Sequence, residues 1–129
     1  MKISFDFDDT LTRESVKDLC KELILLNNEI WIVTSRFDDK YAYDKNWIWI
    51  PKQNEKLFKV AEELGIPKSR IVFTNKDPKI NFLSNKGFVV HFDDSPDELI
   101  DILRSDDSCI PINVNHSDWV IHYKEVLKF

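Results

Sequence analysis

Ile3-Ser4-Phe5-Asp6-Phe7-Asp8-Asp9-Thr10-Leu11-Thr12 opens the chain with a short apolar run that breaks into carboxylates and hydroxyls. Residues 3 to 5 predict a strand, and the polar cluster marks where it ends. Four more apolar runs of strand length follow: Ile30 to Val33, Ile71 to Phe73, Phe88 to Phe92 and Ile110 to Val114. Between them the apolar spacing turns helical. Residues 14 to 27 place Val16, Leu19, Cys20 and Leu23 on one face. Asn54 is expected to cap a helix whose inner face is Leu57, Val60, Ala61 and Leu64, with Gly65 as its stop and Pro67 beyond. Asp77-Pro78 reads as the cap and first residue of a short helix ending at Gly87. Ser95-Pro96-Asp97-Glu98 reads as a capping box opening a helix through Leu99, Ile102 and Leu103. Trp119 to Ile121 is expected to form a short sixth strand before a C-terminal helical turn.

Near-continuous apolar strands alternating with helices predict a mainly parallel sheet covered on both faces. The expected fold is therefore α/β, a doubly wound, Rossmann-like three-layer sandwich with right-handed crossovers, in one domain over residues 1–129. The chain has 129 residues, 43% hydrophobic and 32% charged, with 2 Gly and 5 Pro. That composition excludes collagen-like and disordered classes, and surface scaling predicts roughly 7,000 Å² of exposed area. No apolar stretch approaches the roughly 18–20 residues of a membrane span, so no membrane partner is expected. Acids follow Lys2 at once, so no signal peptide is expected. Cys20 and Cys109 have no metal-type spacing and read as reduced core thiols in a cytoplasmic protein.

The net charge of −5 argues against a protein that holds long nucleic acid by its phosphates. The charge is uneven. Residues 36 to 86 carry 11 basic and 7 acidic side chains, the remainder 7 and 16. A positive middle between acidic flanks can draw in a small anion.

Parallel sheets bind ligands at the carboxyl ends of their strands. The first strand runs into Asp6, Asp8, Asp9 and Thr10, and the second into Thr34, Ser35 and Arg36. The third runs into Thr74 and Asn75, and the fourth into Asp93 and Asp94. No His or Cys falls at those ends, so an all-oxygen site is expected there, suited to Mg²⁺ that keeps waters and shares a substrate phosphate. Lys79, at the start of the short helix, is placed toward the same edge.

The ordered set resembles the haloacid dehalogenase superfamily of phosphohydrolases. Its opening signature, Asp-x-Asp-x-Thr after an apolar strand, stands here as Asp6-Phe7-Asp8-Asp9-Thr10. The strand ending in Thr or Ser is Ile30-Trp31-Ile32-Val33-Thr34-Ser35. The lysine is best matched by Lys79, with Lys76 as competitor, and the acidic pair is Asp93-Asp94. The four motifs span residues 3 to 94. The resemblance implies Asp6 as nucleophile, forming an aspartyl-phosphate, and Asp8 as general acid/base. It implies Asp6, the Asp8 carbonyl, Asp93 and Asp94 as Mg²⁺ holders, Thr34 on a phosphoryl oxygen, and Lys79 offsetting negative charge. Ser35 and Arg36 lie beside Thr34 as further substrate contacts. Asp9 stands where the family often has Gly.

Only Leu11 and Thr12 separate Thr10 from the first helix, so no cap domain fits there. Residues 37 to 53 leave room for a loop or small hairpin, so an open, capless member is expected. Trp47 and Trp49 would share a face if extended, able to stack on a nucleobase, pack on the domain or meet a second copy. The substrate is expected to be a small phosphorylated molecule. A nucleic-acid end stays open but is not favoured by the net charge. The competing classes are a receiver-like phosphoacceptor and a phosphate-binding module without turnover. A receiver, however, has no acidic pair after its lysine.

Overall fold

Alternate residues of the first strand face different neighbours, and this decides how the layers assemble. The structure, a computed structural model, describes residues 1–128; Phe129 lies outside them. The strands are β1 (Lys2–Phe5), β2 (Glu29–Thr34), β3 (Ile71–Phe73), β4 (Phe88–Asp93) and β5 (Ile110–Asn113). They pair in the order β3-β2-β1-β4-β5, every pair parallel. The helices are α1 (Glu14–Leu25), α2 (Asp39–Asp44), α3 (Ile50–Leu64), α4 (Ile80–Leu83), α5 (Pro96–Arg104) and α6 (Trp119–Leu127). The expected α/β sandwich without a large cap is what the chain forms.

Ile3 and Phe5 join Ile30, Ile32, Val90, Phe92 and Ile112 in the larger buried cluster. Helices α1, α3 and α6 cover that face with Val16, Leu23, Leu57, Leu64, Tyr123 and Leu127. A smaller cluster of Val33, Leu83, Phe88, Ile102 and Cys109 packs α4 and α5 against the sheet's other face. Phe5 and Phe92 stack with ring centroids 4.6 Å apart, locking β1 to β4. The exposed area is 7504 Å², close to the scaling value. Cys20 and Cys109 are free and buried, and burial pushes both thiols up to about 12. Among the described residues no helix is long and apolar enough to cross a membrane.

Several local expectations are corrected. Trp119 to Ile121 is the first turn of α6, not a strand. Trp119, Tyr123 and Leu127 recur at intervals of four, and Trp119 and Tyr123 both pack their rings on Phe92. Residues 37–53 form neither an open loop nor a hairpin. They fold into α2, a turn, and the first turn of α3, which begins at Ile50 with Pro51 next. Trp47 packs against Phe37 and Tyr41 while Trp49 is exposed, so the two share no extended face. Asn54 sits buried inside α3 instead of capping it. Asp77 does not cap α4; Lys79 occupies that position.

Two boundaries stand as read. Gly65 closes α3 at φ 77°, a left-handed conformation glycine adopts without Cβ strain. Pro96 opens α5, although Ser95 makes no side-chain cap bond and Glu98 accepts elsewhere.

Replacing Phe92 with Ala removes a fully buried ring from the β1–β4 seam and from the Trp119 and Tyr123 contacts. The expected cost is about 3–5 kcal/mol, read as a lower urea midpoint.

Candidate functional site

The chain leaves β1 toward β2 and β3, then returns to place β4 on the other side of β1. The carboxyl ends of β1 and β4 therefore flank the switch point, where doubly wound sheets open a crevice. Asp6 follows β1 directly and Asp93 ends β4; the Asp6 N–H donates to the Phe92 carbonyl at 2.8 Å. Beyond Asp6 the backbone kinks through residues 7 to 11. Phe7 and Leu11 turn into the core, and Asp8 and Asp9 stay at the surface. Asp9 has φ 55°, in the left-handed region that Asp is among the residues to tolerate.

Lys79 is drawn into this crevice. Its Nζ donates to Asp6 Oδ1 at 2.8 Å and to Asp93 Oδ2 at 2.6 Å, with the side chain only 2% exposed. Its backbone N–H donates to Glu98 Oε2 at 2.9 Å, tying the start of α4 to α5. Lys76, the competitor, lies instead over the Phe37 ring, 5.7 Å from its centroid. Lys79 is thus the lysine that reaches the acids.

Asp93 receives four donors. Its Oδ1 accepts from the backbone N–H of Asp94 and of Ser95, and its Oδ2 from Lys79 and His91. A carboxylate has about four lone-pair sites, so Asp93 is saturated. Asp94 is less engaged: a long 3.4 Å contact from Thr10 Oγ1 reaches its Oδ1, and Thr10 Oγ1 also lies 3.4 Å from Asp6 Oδ2. One oxygen from each of Asp6, Asp93 and Asp94 falls within 4.8 Å of the others. An all-oxygen acidic trio fits a hard divalent cation such as Mg²⁺. The freer oxygens are those of Asp6 and Asp94.

Burial pushes the Asp6 carboxyl from the usual 3.8 up to about 8, outweighing the pull of Lys79. Burial also works against ionised Asp93, but its bonds from His91 and Lys79 win, and it is held well below the usual carboxylate range. Two carboxylates share one ammonium, and Asp93, with four donors, takes the larger share. Burial depresses Lys79, but Asp6 and Asp93 more than restore it, so it stays charged.

Asp8 sits apart from this cluster. Arg36 grips it with a two-pronged fork, Nε to Oδ2 at 2.9 Å and Nη2 to Oδ1 at 2.7 Å. Those bonds lower the Asp8 carboxyl below its usual range. Arg36 Nη1 donates to the Gln53 carbonyl at 2.8 Å, and the guanidinium lies 5.0 Å from the Phe7 ring centre. Arg36, read from sequence as a substrate contact, is thus already engaged by the protein. Thr34 is buried at the end of β2, its Oγ1 accepting from Arg36 N–H at 3.3 Å. Ser35 is half-buried beside it, its carbonyl accepting from Lys76 N–H.

The trio itself is all oxygen, and a histidine within β4 supports it from below. His91 is fully buried with Nε2 2.8 Å from Asp93 Oδ2 and Nδ1 2.7 Å from Ser4 Oγ. Strand side chains alternate, so position 91 shares a face with position 93; that period was the available signal. The Thr74 hydroxyl, at the end of β3, is buried with no partner among the described residues.

Comparison of the chain with family models, with curated proteins and with solved structures finds no match.

Two predictions follow the electrostatics. Asp6 keeps its proton when folded, between about 4 and 8, over a range where the unfolded chain has lost it. Stability therefore falls as pH rises through that window. Asp6→Asn removes the loss, so in EDTA its stability relative to wild type should grow from pH 4 to pH 8 in urea titrations. A shrinking difference would place the proton elsewhere. Arg36→Ala should raise the Asp8 pKa toward its usual value in a carboxyl ¹³C NMR titration; an unchanged value would show that the fork does not form.

Proposed function

We propose that the chain is a phosphomonoester hydrolase of the haloacid dehalogenase type, working through an aspartyl-phosphate on Asp6. The observation that supports it is the placement of Lys79 between Asp6 and Asp93 at the sheet's switch point, with Asp94 alongside. Any one of these residues is ordinary at a strand end. A buried lysine bridging two acids from different strands is a costly arrangement that a fold has little reason to build for stability alone.

In the proposed reaction Asp6 first loses to solvent the proton that burial holds on it, and its carboxylate then attacks phosphorus as the bond to the leaving oxygen breaks. Water then attacks the same phosphorus, releasing phosphate and restoring Asp6. Thr34 and Ser35 would donate to phosphoryl oxygens from the end of β2. Lys79 would offset the charge that gathers on Asp6 and the phosphoryl group. Asp8 would handle protons. Paired with Arg36 it is ionised, the form that accepts a proton from the attacking water. Giving a proton to the leaving oxygen requires that pairing to loosen first. Mg²⁺, held by Asp6, Asp94 and the Asp8 carbonyl, with Asp93 joining only by giving up one of its four donors, would supply positive charge and polarise the phosphoryl oxygens.

The proposed substrate is a small phosphorylated molecule entering an open site, in the cytoplasm, where Cys20 and Cys109 stay reduced. A nucleic-acid end is less favoured by the net charge of −5. The Arg36 grip on Asp8 favours one further reading: a chain that accepts a phosphoryl group on Asp6 and releases it slowly, as a phosphoacceptor, or that binds phosphate without turnover.

An aryl phosphate assay separates these. Mg²⁺-dependent release of phosphate is expected, abolished by EDTA and by Asp6→Asn, with at least about a tenfold loss in Lys79→Ala. Turnover that survives Asp6→Asn sinks the covalent route. One phosphoryl group bound per chain without turnover selects the phosphoacceptor, and neither of these together with tight anion binding selects the binding module.

A further inference from the structure

His91 is the one imidazole in the interior, and none of the motifs that point to phosphoryl transfer uses it. It stands opposite Ser4 in the β1–β4 register, fully buried beneath the acidic cluster. We infer that Ser4 and His91 form a positioning relay, in which a Ser4 hydroxyl fixes the His91 tautomer and His91 Nε2–H aims Asp93 at Lys79.

The bonding admits one consistent pattern. Asp93 Oδ2 already accepts from Lys79 and, as a carboxylate, has nothing to donate. The His91 Nε2 facing it at 2.8 Å must therefore carry the proton. Ser4 Oγ is buried and meets no other partner among the described residues, so a proton on Nδ1 as well would leave its hydroxyl hydrogen without an acceptor, and the ring is neutral. A neutral ring with Nε2–H has a bare Nδ1, which can only accept, so at 2.7 Å the Ser4 hydroxyl donates. Every polar atom in the row is then satisfied, as burial demands. Reversing the tautomer would face a bare Nε2 against a carboxylate oxygen.

The relay has a mechanical consequence. Asp93 Oδ1 is pinned by the Asp94 and Ser95 N–H groups, and His91 fixes the rotation of Oδ2. With Oδ2 fixed, the Lys79 ammonium has one place to sit, 2.6 Å from Asp93 and 2.8 Å from Asp6. Ser4, His91, Asp93, Lys79 and Asp6 make one continuous hydrogen-bonded row from the floor of the sheet to the proposed nucleophile. The tautomer follows from the bonding alone; the effect on turnover rests on the phosphohydrolase reading.

The test has two arms. Long-range ¹⁵N–¹H NMR of the wild-type chain in EDTA should show His91 as the neutral Nε2–H tautomer. An Nδ1–H tautomer or a charged ring overturns the relay whether or not the protein is an enzyme. The second arm compares His91→Phe, which keeps the ring volume, with His91→Gln, whose amide can still donate toward Asp93. His91→Phe should weaken Mg²⁺ binding, read as the Mg²⁺-induced rise in thermal midpoint, by roughly 10–100-fold, with turnover falling in step. His91→Gln should restore most of both. Phe and wild type behaving alike would make His91 a space-filler and overturn the inference. If His91→Phe fails to fold, Ser4→Ala serves: it removes the hydrogen bond to Nδ1, so it should shift the His91 Nδ1 ¹⁵N signal and weaken Mg²⁺ binding, and unchanged signals overturn the relay. A wild-type chain with no turnover defeats the phosphohydrolase reading, and the tautomer still decides the relay.

Discussion

A buried ammonium between two carboxylates is the constraint around which the carboxyl edge of this sheet is organised. Lys79 reaches Asp6 and Asp93 with almost no solvent contact. Taking these charges out of water costs several kcal/mol per ion unless hydrogen bonds replace the lost hydration. The replacement is fullest at Asp93, which gains two backbone N–H groups and an imidazole besides Lys79. The residue left short is Asp6, whose carboxyl burial pushes up to about 8. A buried carboxyl so strongly perturbed, beside a specific ammonium partner in a crevice, marks a candidate functional position.

The two central strands divide the labour between their faces. Ile3, Phe5, Val90 and Phe92 bury one face, and the Phe5–Phe92 stack holds it in register. Ser4, His91 and Asp93 carry the polar row on the other. A slip of one residue between β1 and β4 would exchange the faces, burying the polar row in the larger cluster. The apolar seam thus specifies the geometry that the polar row needs.

Strand ends were legible in the sequence because buried parallel strands are apolar runs that stop abruptly, and Asp6, Thr34 and Asp93 stand where such runs stop. Pairings across the chain were not. Nothing local connects Arg36 with Asp8, 28 residues away, and a free arginine beside Thr34 and Ser35 reads as a phosphate contact until its fork is seen to be occupied. His91 was hidden because its strand is otherwise apolar, and a single histidine in such a run reads as core until the shared face with Asp93 is followed. Trp119 to Ile121 misled because three apolar residues fit a strand or a helix equally, and only Tyr123 and Leu127 packing beyond them decide it. Residues 37–53 were misjudged because α2 is short and its helical signal is weak beside aromatic side chains that pack in a tight turn.

The charge around the site bears on how an anion would enter it. Asp8 is neutralised by Arg36, and Lys79 is shared between Asp6 and Asp93, leaving Asp94 and exposed Asp9 without an ion-pair partner among the described residues. Unit charges about 4 Å apart near a protein surface interact by roughly 4 kcal/mol. A phosphate dianion approaching this edge alone would therefore be repelled by the same acids that the proposed chemistry requires. Under the phosphohydrolase reading, a divalent ion is needed for substrate to bind as much as for the bond to break. The two events are then linked: cation affinity and phosphate affinity must rise and fall together, because each relieves the charge that opposes the other.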